Sequence, residues 1–243
     1  MKHQNFPNLS PGWLKDYSFL NSIFDLSESN EGFEEALAFN KSIDKKIFDY
    51  LITIPGIIFC IPLFLIIGLL IKLESKGPVL FKQKRVGKDG KVFLMYKFRS
   101  MYVNTDQSVH ENHILAYKKG LLNPQEGYKL KNDPRITKVG KFLRDSSLDE
   151  LPQLINILRG EMSLVGPRPV PIYEADLYDL WQSERVSTLP GITGMWQVCG
   201  RSAVSFEEQI RLDIHYVRNQ SIGLNIKILL ITFLAVFNKR GAG

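Results

Sequence analysis

Two adjacent carboxylates, Asp149 and Glu150, lie between two arginines, and these residue types at this spacing can handle phosphate. Arg144 precedes the pair, and Arg168 follows it in the run Gly166-Pro167-Arg168-Pro169, where the prolines stiffen the backbone. A guanidinium group holds a phosphate in a planar fork of N–H donors. One carboxylate can attack phosphorus while its neighbour holds a metal ion or a proton. The pattern therefore indicates a site for phosphoryl chemistry.

The same stretch also fits a structural role at the start of a helix. Residues Ser147 to Glu150 have the form of a capping box, and an apolar stripe at helical spacing runs from Leu151 until Gly160. Pro152 is comfortable only in a first turn, so we expect a helix that begins beside the carboxylate pair and presents its positive end to it. The local pattern leaves capping and catalysis both open.

A divalent cation would offset the repulsion between two carboxylates and a phosphate. The candidate ligands are oxygen atoms only, which favours Mg²⁺ over zinc. We therefore expect Mg²⁺ as the cofactor, with Asp149 and Glu150 as its ligands.

A long apolar segment precedes this region. Tyr50 to Ile71 is about 22 residues without a charge, which as a straight helix would reach roughly 33 Å and cover the hydrocarbon core of a bilayer. Pro62 falls near its middle, where a missing N–H bends a helix, and lysines flank both ends, which favours both ends on one side of a membrane. We predict a re-entrant helix–break–helix over residues 41–76; a kinked ordinary span is the alternative.

Composition limits the rest of the chain. With 243 residues it can form one compact catalytic domain, which we place at residues 77–243, and the net charge of +6 fits anionic partners. Residues 1–40 carry two lysines against six acids and form a separate acidic extension. Two cysteines are too few for a disulfide framework, and no groove-reading motif supports nucleic-acid binding.

Short β-prone runs around Gly87 to Gly90 predict a β-hairpin. Its second strand leads to Lys97 and Arg99, which can contact phosphate or form part of a merely solvated basic ribbon. Near the C-terminus, Ile222 to Phe237 is apolar with interspersed polar residues and suits an interfacial amphipathic helix. The expected fold class is an α-rich α+β domain, with the membrane segment, a small hairpin and interfacial helices around a compact catalytic core.

Five motifs in this order resemble the bacterial sugar transferases, the monotopic phosphoglycosyl transferases, over about residues 41–240. They are Lys97-Phe98-Arg99-Ser100-Met101, Asp133-Pro134-Arg135-Ile136-Thr137, Ser147-Leu148-Asp149-Glu150-Leu151-Pro152-Gln153-Leu154, Met162-Ser163-Leu164-Val165-Gly166-Pro167-Arg168-Pro169 and Pro190-Gly191-Ile192-Thr193-Gly194. The family's membrane helix breaks at a Ser-Pro pair. Here Ile61-Pro62 stands at that place, so the bend is left to Pro62.

The resemblance implies transfer of a sugar phosphate from a UDP-sugar to a polyprenyl phosphate, on the cytoplasmic face of the bacterial inner membrane, as the first step of surface-glycan assembly. It implies that Asp149 is the nucleophile, that UMP leaves and that a phosphosugar-aspartate forms. Glu150 would assist with the metal or the proton, and Arg144 and Arg168 match family arginines associated with phosphate binding. Lys97, from the basic hairpin, is a third candidate for binding phosphate. Mg²⁺ is the implied cofactor, and a homodimer is plausible.

Two other functions remain open from the sequence. A catalytically idle scaffold or lipid-phosphate binding module could keep this fold, although the intact carboxylate pair with both arginines counts against it. A phosphohydrolase of nucleotide sugars would consume its donor with or without a lipid acceptor. No segment of the sequence identifies the sugar.

Overall fold

The computed structural model describes residues 38–39, 42–103, 133–175, 178, 182–199 and 206–237. The predictions for residues 1–37 and for the polar segment 104–132 lie outside the described residues. The helices are α1 (Ile43–Glu74), α2 (Lys138–Asp145), α3 (Leu154–Leu158), α4 (Ile172–Ala175), α5 (Met195–Cys199), α6 (Phe206–Asn219) and α7 (Ile222–Phe237). The strands are β1 (Leu80–Val86), β2 (Val92–Phe98), β3 (Ser163–Val165), β4 (Val170–Pro171) and β5 (Gly191–Thr193), and short 3₁₀ helices cover Lys88–Gly90, Leu148–Gln153 and Gln182–Val186.

The predicted hairpin is confirmed. Strands β1 and β2 pair antiparallel in full register from Leu80↔Phe98 to Val86↔Val92. The turn between them has positive φ at Asp89 (54°) and Gly90 (75°), and the latter is a conformation that glycine adopts without strain. Strand β4 joins the free edge of β1, so the sheet order is β2-β1-β4. This third strand carries the chain away from Arg168 and attaches that loop to the hairpin.

A second sheet was not predicted from the sequence. Strands β3 and β5 pair in parallel, and the backbones around them approach very closely. A Cβ added to Gly191 would lie 2.1 Å from the backbone nitrogen of Gly166, and one added to Gly194 would lie 2.2 Å from the Gly166 oxygen. Only glycine permits this approach, so these residues serve the packing of the loop that begins at Gly166.

Buried polar groups fix the N-terminal part of α1 to the domain. The Lys45 ammonium donates to Tyr216 Oη (3.3 Å) and to Gln220 Oε1 (3.2 Å). The Asp49 carboxylate accepts from Ser163 Oγ (3.0 Å) and from the Leu164 backbone N–H (3.1 Å). Because buried polar groups are costly without partners, these bonds set where the helix begins its path over the domain.

The C-terminal part of α1 is fixed to the same domain. The Arg99 guanidinium donates to the carbonyls of Ser75 (2.7 Å) and Lys76 (2.8 Å), which end the helix. Glu74 accepts from the first N–H groups of α2, with 2.6 Å to Lys138 N. Ile67 and Ile71 pack into the cluster that contains Phe98 and Leu143. Neither of the two roles open for Arg99 describes this arrangement, because the guanidinium is buried and caps the end of α1.

The opposite face of α1 is apolar and exposed, with Phe59 85% exposed and Leu65 71% exposed. Among the described helices, α1 alone is long and apolar enough to cross a membrane. The sequence suggested two helices separated by a break. In the structure, helical backbone continues through both Pro55 and Pro62 without a gap. A proline can bend a helix without interrupting it, and the re-entrant path stays a prediction.

Helix α7 begins and ends where the sequence predicted. Ile228 faces the core with Tyr216 and Met195, while Leu230, Phe233 and neighbouring apolar residues are exposed. The helix therefore has one face on the domain and a second apolar face outside it. Its place at a membrane interface remains a prediction.

Gly140 tests the packing of α2 on the end of the hairpin. A Cβ at this position would lie 2.0 Å from the Ser100 carbonyl oxygen, which is backbone and cannot move aside. We expect Gly140→Ala to lower the free energy of unfolding by about 2 kcal/mol or more. Gly56→Ala is the matched control, since nothing lies within 4 Å of its added Cβ. Thermal unfolding in detergent measures both, and equal midpoints for Gly140→Ala and the parent protein would contradict the packing described.

Candidate active site

The carboxylate pair lies on a 3₁₀ helix, and the predicted capping box is wrong. Ser147 has φ 59° and ψ 13° and makes no side-chain capping bond, and the regular α-helix begins only at Leu154. Pro152 explains the difference, because it lacks the N–H that an α-helix would need from this position. Gly160, with φ 70°, follows the end of α3 as predicted. Freed from capping, the carboxylates are available for chemistry.

Two cations from different parts of the chain hold the Glu150 carboxylate. Lys97 at the end of β2 donates to Glu150 Oε1 at 2.7 Å, and Arg168 donates to the same oxygen at 2.9 Å. The three side chains are mostly shielded from solvent, with Arg168 the most exposed. Burial alone would raise the pKa of Glu150, but Arg168 and Lys97 outweigh burial and hold that pKa well below its usual range. Glu150 is therefore a fixed anion.

Asp149 is different from its neighbour. It is 9% exposed, and within the described part of the chain its carboxylate accepts no hydrogen bond. Burial raises the pKa of Asp149, and the Glu150 carboxylate adds to the shift. The cations of Lys97, Arg144 and Arg168 oppose this shift without cancelling it. A poorly solvated carboxylate without a partner beside positive charge is a suitable nucleophile for an electrophilic phosphorus.

The structure brings the predicted site residues together to different degrees. Lys97 and Arg168 both contact Glu150, although they lie 71 residues apart in the chain. Arg144 lies in the last turn of α2, half-buried, and influences Asp149 through its charge and not through a hydrogen bond among the described residues. Pro62 lies within α1, away from these contacts.

The sequence reasoning missed the residues that support the Arg168 loop. Arg185 and Asp213 form a buried ion pair at 2.7 Å, and Arg185 also donates to the backbone carbonyl of Arg168 at 3.3 Å. A signal was present in the sequence. Asp213 stands between Leu212 and Ile214, where an acid within an apolar run indicates a paired buried charge.

Together these features define a class of site. A fixed carboxylate held by two cations stands next to a carboxylate that is unpaired in the part of the chain that the structure describes. The domain that carries them has an apolar helix exposed along its outer face. Such a site can accept a phosphorylated substrate, attack its phosphorus and exchange groups with a partner that lies in a lipid surface.

The sequence comparisons agree with this class. Residues 40–239 match the model of the family described as bacterial sugar transferase, and the chain belongs to that family. It is 42% identical over 203 residues to the exopolysaccharide production protein ExoY of Sinorhizobium fredii, covering 82% of this chain and 88% of that protein.

Longer relatives match over the same part of the chain. The undecaprenyl-phosphate galactose phosphotransferase of Salmonella typhimurium is 40% identical over 201 residues, which are 82% of this chain and 41% of that protein. The galactosyl transferase CpsE of Streptococcus agalactiae is 41% identical over 203 residues, again 82% of this chain and 43% of that protein. This chain thus spans less than half the length of these two relatives.

The two carboxylates should have opposite effects on stability. Asp149 has a raised pKa in the folded protein, so its ionised form destabilises the fold at neutral pH. Glu150 has a lowered pKa, so its ionised form stabilises the fold above its unfolded pKa, and this contribution is lost as the pH falls. At pH 7 we expect Asp149→Asn to raise the Tm and Glu150→Gln to lower it, each by about 2 °C or more.

Thermal unfolding in detergent from pH 7 to pH 4 measures both effects. The gain from Asp149→Asn should shrink as the pH falls through the folded pKa of Asp149, because the parent carboxyl then becomes neutral too. Shifts of the same sign for both variants at pH 7 would contradict the assigned charge states.

Proposed function

We propose that the protein transfers a sugar 1-phosphate from a UDP-sugar to a polyprenyl phosphate such as undecaprenyl phosphate, and that UMP is released. The observation that carries the proposal is the asymmetry of the pair, in which Glu150 is held by two cations and Asp149 is buried without a described partner. The names of two family relatives support these donor and acceptor classes: an undecaprenyl-phosphate galactose phosphotransferase supports the acceptor, and a UDP-glucose:undecaprenyl-phosphate glucose-1-phosphate transferase supports both donor and acceptor.

The reaction follows in two displacements at one phosphorus. An ionised oxygen of Asp149 attacks the phosphorus that bears the sugar, and the bond from this phosphorus to the oxygen of UMP breaks. UMP leaves with that bonding pair as a phosphate anion, and a phosphosugar-aspartate remains. An oxygen of the polyprenyl phosphate then attacks the same phosphorus, the bond to Asp149 breaks, and the carboxylate is restored.

Lys97 and Arg168 place positive charge beside the nucleophile Asp149. Lys97 uses one of the three N–H donors of its ammonium on Glu150, and Arg168 adds its charge at the same oxygen. The remaining donors can bind the oxygens of the donor diphosphate and offset the charge that moves to UMP. Arg144 adds charge from the side of α2.

The carboxylate oxygens of the site also fit Mg²⁺ as ligands. Within the described residues, no third acidic, histidine or cysteine side chain joins Asp149 and Glu150 in a metal-binding group. Mg²⁺ is commonly held by one or two carboxylates, with water and substrate phosphates as its other ligands. Asp149, whose buried carboxylate lacks a described hydrogen bond, and Glu150 would hold the ion, which would neutralise diphosphate charge.

The packing of α1 supports a protein that enters the membrane from one side. Asp49 near its start and Ile71 near its end both contact the domain, and Thr53, Ile57 and Phe64 between them also face it. A helix that leaves the domain to cross a bilayer would lose these contacts. We propose a re-entrant or shallow insertion on the cytoplasmic face of the bacterial inner membrane, with the exposed face of α7 beside it.

Acceptor-dependent UMP release tests the reaction. A panel of UDP-sugars with Mg²⁺, with and without undecaprenyl phosphate, should give turnover with at least one donor that requires the acceptor. Asp149→Asn should reduce that turnover by about 10³-fold or more, since it removes the nucleophile. Asp145→Asn is the matched control, because Asp145 is an exposed acid at the end of α2.

The intermediate gives an independent measurement. Without acceptor, mass spectrometry should find a sugar phosphate on the peptide that contains Asp149, and none in Asp149→Asn. UDP-sugar consumption at the same rate with and without the acceptor would identify a hydrolase. No turnover with any UDP-sugar would favour a scaffold.

Impermeant maleimide labelling tests the membrane path. In a protein with Cys60 and Cys199 replaced by alanine, Asp44→Cys and Lys72→Cys place single thiols at exposed positions near the two ends of α1. We expect both to react from the cytoplasmic side only, because both ends of α1 pack on one domain. Labelling of the two positions from opposite sides would establish a spanning helix.

A further inference from the structure

The loop that presents Arg168 has few backbone donors of its own, and the Gly166 N–H at its start donates to the Thr193 carbonyl at 2.9 Å. Pro167 and Pro169 flank Arg168, and neither has an N–H group. The carbonyl oxygens of the loop remain as acceptors. The Pro167 carbonyl accepts from Gly191 N at 2.9 Å, and the carbonyls of Arg168 and Pro169 each accept from the side chain of another arginine.

Arg185 holds the loop from inside the domain. It is 4% exposed and donates to the Arg168 carbonyl at 3.3 Å. Its other nitrogens donate to Asp213 Oδ2 at 2.7 Å and to Tyr178 Oη at 2.6 Å, and Tyr178 in turn donates to Glu174. All three guanidinium nitrogens thus have partners in different directions, which fixes the orientation of the group that contacts the loop.

Arg85 holds the loop from the hairpin. It donates to the Pro169 carbonyl at 3.1 Å, while Nε and one terminal nitrogen donate to Gln83 Oε1 at 3.1 and 2.7 Å. Backbone pairing places it there, since Arg85 is opposite Pro171 in the sheet. The two arginines therefore reach consecutive carbonyls from two separate elements.

We propose that Arg85 and Arg185 are positioning residues that clamp the Arg168 loop, so that the Arg168 guanidinium is held over Glu150 and is ready to bind the diphosphate of the donor. The inference rests on the proposed function for the identity of that donor. The clamp itself follows from the contacts, because a loop with prolines on both sides of its arginine depends on donors from elsewhere.

Lysine cannot replace either arginine in this role. An ammonium is a compact charge on a flexible stem, whereas the guanidinium spans several acceptors in one plane. Lysine does retain the charge opposite Asp213, which is 0% exposed and whose pKa burial raises to about 7. An alanine at position 185 would leave that carboxylate without its cation, so Arg185→Lys is the variant that perturbs the clamp with the least risk to folding.

A second ion pair provides the control. Arg218 on α6 contacts Glu184 at 2.8 Å, and Glu184 lies in the same 3₁₀ helix as Arg185. This pair ties the same two elements together through Glu184, whereas the bond to the Arg168 carbonyl comes from Arg185. Arg218→Lys therefore tests the effect of weakening the connection between α6 and the 3₁₀ helix Gln182–Val186.

Calorimetric titration with UDP in the presence of Mg²⁺ tests the proposal on the full chain in detergent. We expect Arg185→Lys and Arg85→Lys each to weaken UDP binding by about tenfold, and Arg218→Lys to change it by about twofold or less. If the clamp acts through Arg168, then Arg185→Lys should cost about nothing further in an Arg168→Ala background. In turnover, the KM for the UDP-sugar should rise more than kcat falls.

The outcomes separate the clamp from the choice of donor. Unchanged UDP affinity in Arg185→Lys and Arg85→Lys would overturn the clamp. A loss of affinity no greater than that of Arg218→Lys would overturn it too, as would a loss in Arg185→Lys that is just as large in the Arg168→Ala background. Inorganic pyrophosphate is titrated in parallel. If the parent protein binds pyrophosphate but not UDP, the proposed UDP-sugar donor is wrong, and the pyrophosphate affinities of the same variants test the clamp instead. If the parent protein binds neither anion, both the proposed donor and the clamp are overturned.

Discussion

The bonds that meet at Glu150 Oε1 are the interaction on which the site depends. Lys97 comes from the end of the hairpin, Arg168 from the loop between β3 and β4, and Glu150 from a 3₁₀ helix between α2 and α3. Three separate parts of the chain therefore converge on one oxygen. Because two cations share this anion in a poorly solvated place, neither cation is lost to solvent and the position of each depends on the others. The close packing of glycines around β3 and β5, and the hold of α1 on the domain, keep these parts in register.

The arrangement assigns different states to two chemically similar residues. Glu150 is stabilised as an anion, whereas Asp149 lacks a described hydrogen bond and is destabilised as an anion by burial. Among the described residues only Glu150 of the pair has hydrogen-bond partners, and under the proposed function Asp149 is the position where the fold loses stability in return for reactivity. Under the proposed function, this division of roles explains why two adjacent acids are present, since Lys97 and Arg168 hold Glu150 and leave Asp149 to attack phosphorus.

The membrane helix is also part of the domain's structure. Polar groups at the start of α1 and carbonyl caps at its end attach it to the same body that carries the site, while its outer face is apolar and exposed. On the proposed membrane path, a domain bound in this way lies against the lipid surface. Under the proposed function, an acceptor whose phosphate stands at that surface reaches Asp149 without leaving the bilayer, which gives a physical reason for joining the proposed chemistry to this helix.

The sequence alone determined the elements whose cause is local: the hairpin around Gly87 to Gly90, the end of α3 at Gly160, the extent of α7 and the carboxylate pair with its cations. It misjudged the start at Ser147, because a capping pattern competed with the missing N–H of Pro152, and it gave no indication of the β3–β5 pair. Only the tertiary structure decided that Lys97 and Arg168 share one oxygen, that Asp149 stays unpaired among the described residues, and that Arg85 and Arg185 hold the loop. Local sequence patterns determine local hydrogen bonds. The burial and pairing of charged side chains depend on which distant segments pack together, and their pKa values depend on that packing.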